Sequence, residues 1–138
     1  MSPPWGRREL ALSGLLVALT LLCYSGAARL GFVSFDDPAY VTSNREVLAG
    51  LTGHGLRWAF STGFLSNWHP LTWLSHMLDV ALFGVRPGPH HLVNVALHGL
   101  NTLLVFVFLR RATGRAGASA VVAALFCAHP LHVESVAW

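Results

Sequence analysis

The stretch LVNVALHGLNTLLVFVFL, Leu92–Leu109, decides how the rest of the chain is read. It carries no formal charge, and as a helix it crosses most of a hydrocarbon core about 30 Å thick. Polar side chains interrupt it at Asn94, His98, Asn101 and Thr102. With His91 before them, Asn94, His98 and Asn101 recur at i, i+3, i+7 and i+10, which is one face of a helix. Lipid does not tolerate such a face, so it turns inward. There it either lines a polar cavity or joins helices by hydrogen bonds.

Working outward, Arg110, Arg111 and Arg115 follow this run as a short basic hairpin. A second apolar run starts at Ala116 and meets His129-Pro130 after Ala128, so it is long enough to span only if it continues to about Ala137. Toward the amino terminus, Leu10–Ala28 is uncharged and follows Arg7, Arg8 and Glu9. A cleaved signal peptide is the rival reading there, with Gly26 and Ala28 at the cleavage site. The expected fold is an all-α, multi-pass membrane protein. Its three transmembrane helices cover about 10–28, 92–109 and 116–137, with a long external loop at 31–91 and a cytoplasmic hairpin at 110–115.

Composition agrees. Apolar residues make up 54% of the 138 and charged residues 11%, too few charges to cover a water-facing surface. All nine basic residues are Arg, and a dispersed net charge of +3 gives no footprint for nucleic acid. Low charge with high hydropathy excludes disorder. Cys23 and Cys127 sit in apolar runs and read as small buried hydrophobes rather than a disulfide framework. The positive-inside rule places the Arg7-Arg8 end and the hairpin in the cytoplasm. Gly31–His91 and the His129–Trp138 end then lie outside. Three spans enclose little, so the chain reads as the amino-terminal piece of a larger protein.

The external loop has the marks of short helices lying on the membrane surface. Ser43-Asn44-Arg45-Glu46 has the form of a capping box. Thr52 can cap a helix carrying Leu56, Trp58, Ala59 and Phe60, and Pro70 can start one with Leu71, Leu74, Leu78 and Leu82 on one face. The tripeptide His-Pro-Leu recurs at His69 and His129, consistent with a shared helix start. Trp58, Trp68 and Trp73 are residues suited to headgroup level. A small soluble subdomain is the alternative.

The chemistry-bearing residues cluster in the same regions. Asp36 and Asp37 open the loop, and Pro38 should push Asp37 into extended geometry. One carboxylate can then face a cavity as a base toward a hydroxyl while the other fixes the loop. His76 and Asp79 can pair on an exposed helix face. His129, His132 and Glu134 invite a metal reading, but on a helix His132 and Glu134 point about 200° apart. No metal ligand is assigned and no cofactor is read; a divalent metal stays open. Glu134, a lone acid at a span end, is a candidate on its own.

Phe35-Asp36-Asp37, with Tyr40-Val41 and Asn44, resembles the first external loop of the transmembrane and tetratricopeptide-repeat O-mannosyltransferase family. So do Asn67-Trp68-His69-Pro70-Leu71-Thr72-Trp73-Leu74-Ser75-His76-Met77-Leu78-Asp79, His90-His91-Leu92 with Asn94, His98 and Asn101, and Ala128–Trp138. The resemblance runs from about Phe32 to Trp138. It implies a GT-C class glycosyltransferase in a bacterial inner membrane, with the catalytic face periplasmic. The implied donor is a polyprenyl-phosphate sugar, mannose by family, and the implied acceptor is a Ser or Thr hydroxyl of an exported protein. Asp36 matches the family's catalytic base and Asp37 its second acid. Asn44, His69, His91, His98, His129 and Glu134 are the expected substrate-binding set, and Arg45, Arg57 or His98 could balance the phosphate. Relatives usually continue into further spans and tetratricopeptide repeats, so this chain alone is expected to be inactive. Two other classes stay open: a non-catalytic membrane anchor or assembly module, and a membrane metal or haem protein using His91 and His98 or His129 and His132.

Overall fold

The computed structural model describes residues 5–137, and every regular element among them is helical. In chain order these are α1 (Arg7–Cys23), α2 (Arg45–Leu48), α3 (Gly53–Ser61), α4 (Pro70–Phe83), α5 (Pro87–Thr113), α6 (Ala116–Ala128) and α7 (Val133–Ala137). They fall into two compact units, one of Met1–Ala28 with His91–Trp138 and the other of Arg29–His90.

The first unit holds the long apolar helices. Arg7–Arg29, in which a 3-10 turn at Ala27–Arg29 follows α1, and α5 are each long and apolar enough to cross a membrane. The third run reaches that length only as a bent pair: α6 and Pro130–Ala137 meet at 52°. The cause is local. Pro130 disfavours helical geometry at His129, which is extended (φ −69°, ψ 128°), and Pro130 itself has no N–H to donate. The His129 imidazole Nδ1 accepts the Leu131 N–H at 3.3 Å, starting the next turn.

α5 runs past the expected span at both ends. Pro87 opens it, and Gly114, at φ +70°, closes it by donating its N–H to the Arg110 carbonyl at 2.9 Å. The basic hairpin therefore shrinks to Gly114 and Arg115. Arg110 is helical and only 2% exposed; its Nη2 donates to Glu9 Oε1 at 3.3 Å beneath the Trp5 ring. The other Glu9 oxygen accepts the Gly6 N–H at 2.9 Å. One of the three hairpin arginines is thus neutralised internally.

Leu16, Phe106, Ala120 and Ala123 form the core of this unit, and the small residues of α6 allow close approach to α1. A second cluster joins Tyr24, Ala27, Val95 and Val136. Thr20 Oγ1 bonds the Leu16 carbonyl at 3.0 Å and meets Cys127 Sγ at 3.2 Å. Cys127 is buried as expected, but Cys23 is exposed because it lies on the outer side of α1.

The second unit has a core of its own, Val47, Ala59, Trp73 and Met77. Asn44, rather than Ser43, caps α2: its Oδ1 accepts from Glu46 N at 3.1 Å and Val47 N at 3.4 Å. The shift of one residue arises because Ser43 still belongs to the preceding wide turn, donating its N–H to Pro38 O. Thr52 caps α3 through Gly55 N at 2.9 Å, and Pro70 and Pro130 both stand at the start of helical turns behind a histidine. On α4 the buried face is Pro70, Trp73 and Met77, while Leu71, Leu78 and Leu82 are exposed. Trp73 is therefore a core residue rather than a headgroup-level one; its neighbours Tyr40, Trp58 and Phe64 enclose it.

Trp73→Ala should destabilise the protein by about 3–5 kcal/mol by opening a cavity in this core. Trp68→Ala, at a side chain 68% exposed, should leave the melting temperature nearly unchanged. Thermal unfolding in detergent compares the two, and equal effects would contradict the assignment.

Candidate functional site

The acidic pair sits on a turn whose shape differs from the extended one expected. Asp37 is helical (φ −56°, ψ −34°), not extended. The preference against helix before proline is overridden because the Asp36 carbonyl accepts both Ala39 N and Tyr40 N, at 2.9 and 3.0 Å, starting a wide turn over Pro38–Thr42. The Asp37 carboxylate folds back to accept the Val33 N–H at 2.6 Å. Asp36 is exposed, and no hydrogen bond engages its carboxylate among the described residues. One acid thus holds the loop and its neighbour stays available.

Tyr40, carried by the same turn, stacks on Trp73 at 5.0 Å and lies against His69 at 5.6 Å and His76 at 6.3 Å. Asn67 Nδ2 donates to the Tyr40 hydroxyl at 3.4 Å. Beside this wall, the buried nitrogens His69 Nε2, Trp73 Nε1 and His76 Nδ1 have no hydrogen-bond partner in the described structure. Buried Trp and His nitrogens usually find one, so these three stand out within the unit. A cavity of about 490 Å³ opens in the same unit, lined by Pro38, Asn44, Arg45, Glu46, Trp58 and Phe64 among others. Arg45 is the cation closest to hand there; Arg57 does not line it and instead donates Nε to the Gly53 carbonyl. The Asn44 amide is committed to the fold, since its Nδ2 also donates to Ala39 O at 3.1 Å.

His76 and Asp79 do not pair on an exposed face. Asp79 is 4% exposed and faces His90, with Oδ2 3.9 Å from Nδ1. Burial pushes the Asp79 carboxyl up from its ordinary value, against the pull of His90. Burial, with His90 and His69 adding to it, pushes His76 down to about 4, while the Asp37 carboxylate acts in the opposite direction. Tyr40 and His90 are the residues that sequence reasoning left without a role. The usable signal for His90 was Pro87, which starts α5 and puts His90 in its first turn.

The remaining expected residues lie in the first unit. His98 is buried; its Nε2 donates to the Cys127 carbonyl at 3.0 Å, and its ring stacks on Phe126 and meets Tyr24 edge-on. Asn94, His98, Asn101, Phe126, His132 and Ser135 line a cavity of about 320 Å³. The polar stripe therefore does both jobs left open for it: His98 joins helices, and the two asparagines face the cavity. Asn101 is exposed rather than packed, because the cavity lies beside it. His91 is buried with neither ring nitrogen partnered. His129 and Glu134 are exposed, and His129 serves the turn described above. Each unit's residues are grouped within that unit.

These features define an all-α, multi-pass membrane segment with an acidic loop and histidine-rich polar linings. Along nearly its whole length the chain is a homologue of protein O-mannosyl-transferases. It is 33% identical to Protein O-mannosyl-transferase Tmtc1 of Drosophila melanogaster over 99% of this chain and 17% of that protein. It is 34% identical to mouse TMTC1 over 98% of this chain and 15% of that protein, and 36% identical to mouse TMTC2 over 87% and 15%. The chain thus spans about a sixth of the length of the curated relatives it matches. No family model matches it, and no solved structure matches it.

His98→Leu should cost roughly 1–3 kcal/mol by leaving the Cys127 carbonyl unsatisfied. Leu104→Val, at an exposed position of the same helix, should be close to silent. Unfolding in detergent reads both, and a silent His98→Leu would remove the bridging role.

Proposed function

We propose that this chain is part of a membrane glycosyltransferase that moves a sugar, mannose by analogy with its relatives, from a polyprenyl-phosphate donor to a protein Ser or Thr hydroxyl outside the cytoplasm. The observation that carries this reading is homology to protein O-mannosyl-transferases along nearly the whole chain. The proposed catalytic base is Asp36. Its support is the exposed, uncommitted carboxylate beside Asp37, whose own carboxylate is taken by the Val33 N–H.

In the proposed reaction the acceptor oxygen attacks the anomeric carbon and forms the new glycosidic bond. The bond from that carbon to the phosphate oxygen breaks, and the polyprenyl phosphate leaves with the electron pair. Asp36 takes the hydroxyl proton as attack proceeds, and a single displacement inverts the anomeric centre. Polyprenyl phosphate is a good leaving group, so the demand is for charge balance rather than acid catalysis. Arg45, with Trp58 and Phe64 as apolar walls of the 490 Å³ cavity, supplies a cation and a stacking surface on this reading. His69 contributes the unpartnered Nε2 to the polar lining, while Asn44 and Asp37 shape the loop. His91, His98, His129 and Glu134 remain proposed contributors to substrate binding from the first unit. The proposed setting is a bacterial inner membrane, with Gly31–His91 on the periplasmic side.

Asp36→Asn in the complete protein should lower sugar transfer by about 10²–10⁴-fold, the range for a lost general base, with expression and donor binding near wild type. Asp37→Asn should lower activity together with thermal stability. Transfer from a polyprenyl-phosphate sugar in liposomes decides between them, and wild-type activity in Asp36→Asn would refute the base.

The proposed orientation makes a separate demand. A single cysteine at Ser61 should react with an impermeant reagent in intact cells, and one at Thr113 only after permeabilisation. The reverse pattern would invert the topology.

A further inference from the structure

We propose that His76, Asp79 and His90 form a binding site for a divalent transition-metal ion, zinc by its ligand set, at the corner between α4 and α5. The assignment goes beyond the glycosyl-transfer reading and does not depend on it.

One ligand atom from each of the three side chains lies within 4.8 Å of the other two. Zinc bonds of about 2.0–2.1 Å in tetrahedral geometry put ligand atoms roughly 3.3 Å apart, so a small inward rotation of the side chains closes the site. His76 and Asp79 are i and i+3 on α4 and share a face. Gly84 ends α4 at φ +68°, a conformation that side chains rarely adopt, and the chain turns there to bring His90 back from the first turn of α5.

The tautomer of His90 is the decisive point. A carbonyl oxygen can only accept, so the contact of 3.1 Å from His90 Nε2 to the Gly84 carbonyl fixes the ring proton on Nε2 in the neutral imidazole. Nδ1 then presents its lone pair, without a hydrogen-bond partner, toward Asp79 Oδ2 at 3.9 Å. That separation is too long for a hydrogen bond. Both side chains are buried, 5% and 4% exposed, so a nitrogen and a carboxylate oxygen face each other out of water with no direct hydrogen bond between them. A cation between them would be bonded by both atoms. His76 adds a second buried, unpartnered nitrogen, Nδ1. A histidine held through its other nitrogen by a backbone carbonyl is the usual arrangement of a metal ligand.

Two imidazoles and one carboxylate suit zinc and related transition ions better than magnesium or calcium, which prefer oxygen alone. Three protein ligands leave a fourth position for water or a substrate oxygen. The ion's charge would also reach Asp37, whose carboxylate already acts on His76.

The test uses the complete, untagged protein purified in detergent, stripped with a chelator and titrated with Zn²⁺ or Co²⁺ alone. The expected result is stoichiometric metal by elemental analysis after gel filtration, and a visible tetrahedral absorption for the cobalt form. His90→Phe and Asp79→Asn should each weaken Zn²⁺ binding beyond the roughly 10–100-fold that loss of an orienting group costs. His54→Ala, at an exposed histidine paired with Glu46, should bind as wild type. Retention of full affinity in both ligand variants would overturn the site, as would a wild-type protein that takes up no stoichiometric metal. Where the variants fail to fold, the wild-type cobalt spectrum decides, and absence of the tetrahedral band rejects the proposal.

Discussion

A hydrocarbon environment offers a polar group nothing to bond to, and in the first unit most buried polar side chains, His91 excepted, find a partner inside the protein. Thr20 bonds its own helix and Cys127, His98 reaches the Cys127 carbonyl, and Thr102 returns to the His98 carbonyl at 2.9 Å. Ser119 does the same with Arg115 at 2.9 Å. Arg110 and Glu9, 101 residues apart in sequence, meet at 3.3 Å. Such a pair does more to fix which helix face meets which than to add stability, because desolvating both charges offsets much of their attraction. The apolar packing of Leu16 and Phe106 on small residues of α6 can then be close without being ambiguous.

The Arg29–His90 unit leaves more of its buried polarity unpaired. Its backbone is well capped, through Asn44, Thr52 and the Asp36 carbonyl, yet several of its buried side-chain nitrogens are left without partners. They lie on His69, Trp73, His76 and His90, the first three around the Tyr40 ring. A unit built only for stability would have filled these places with apolar groups of the same shape.

The long helices were legible because uncharged runs are one-dimensional signals, whereas the polar face is only partly inward, with His98 buried and Asn101 exposed. Thr52, Pro70 and Pro130 were legible for the same reason, since caps and proline starts act within a turn. What failed depended on neighbours distant in sequence. Trp73 has the composition of an interfacial residue and becomes core only because Tyr40, Trp58 and Phe64 close over it. The helical Asp37 follows from hydrogen bonds to Ala39 and Tyr40 that outweigh the proline rule. Asp79 looked like half of a local i, i+3 pair, and its real neighbour, His90, arrives around Gly84. Asp36 and Asp37 were legible as a pair, but their division into a free and a committed carboxylate is a property of the turn.

The bend at His129-Pro130 bears on the lipid as well as on the protein. α6 has 13 residues, roughly 20 Å of helix, against a hydrocarbon layer of about 30 Å. Where the bent pair makes the crossing, its end slants rather than rising straight, and the bilayer beside it must thin or admit water to meet it. That deformation falls where His98, Phe126 and His132 border their cavity.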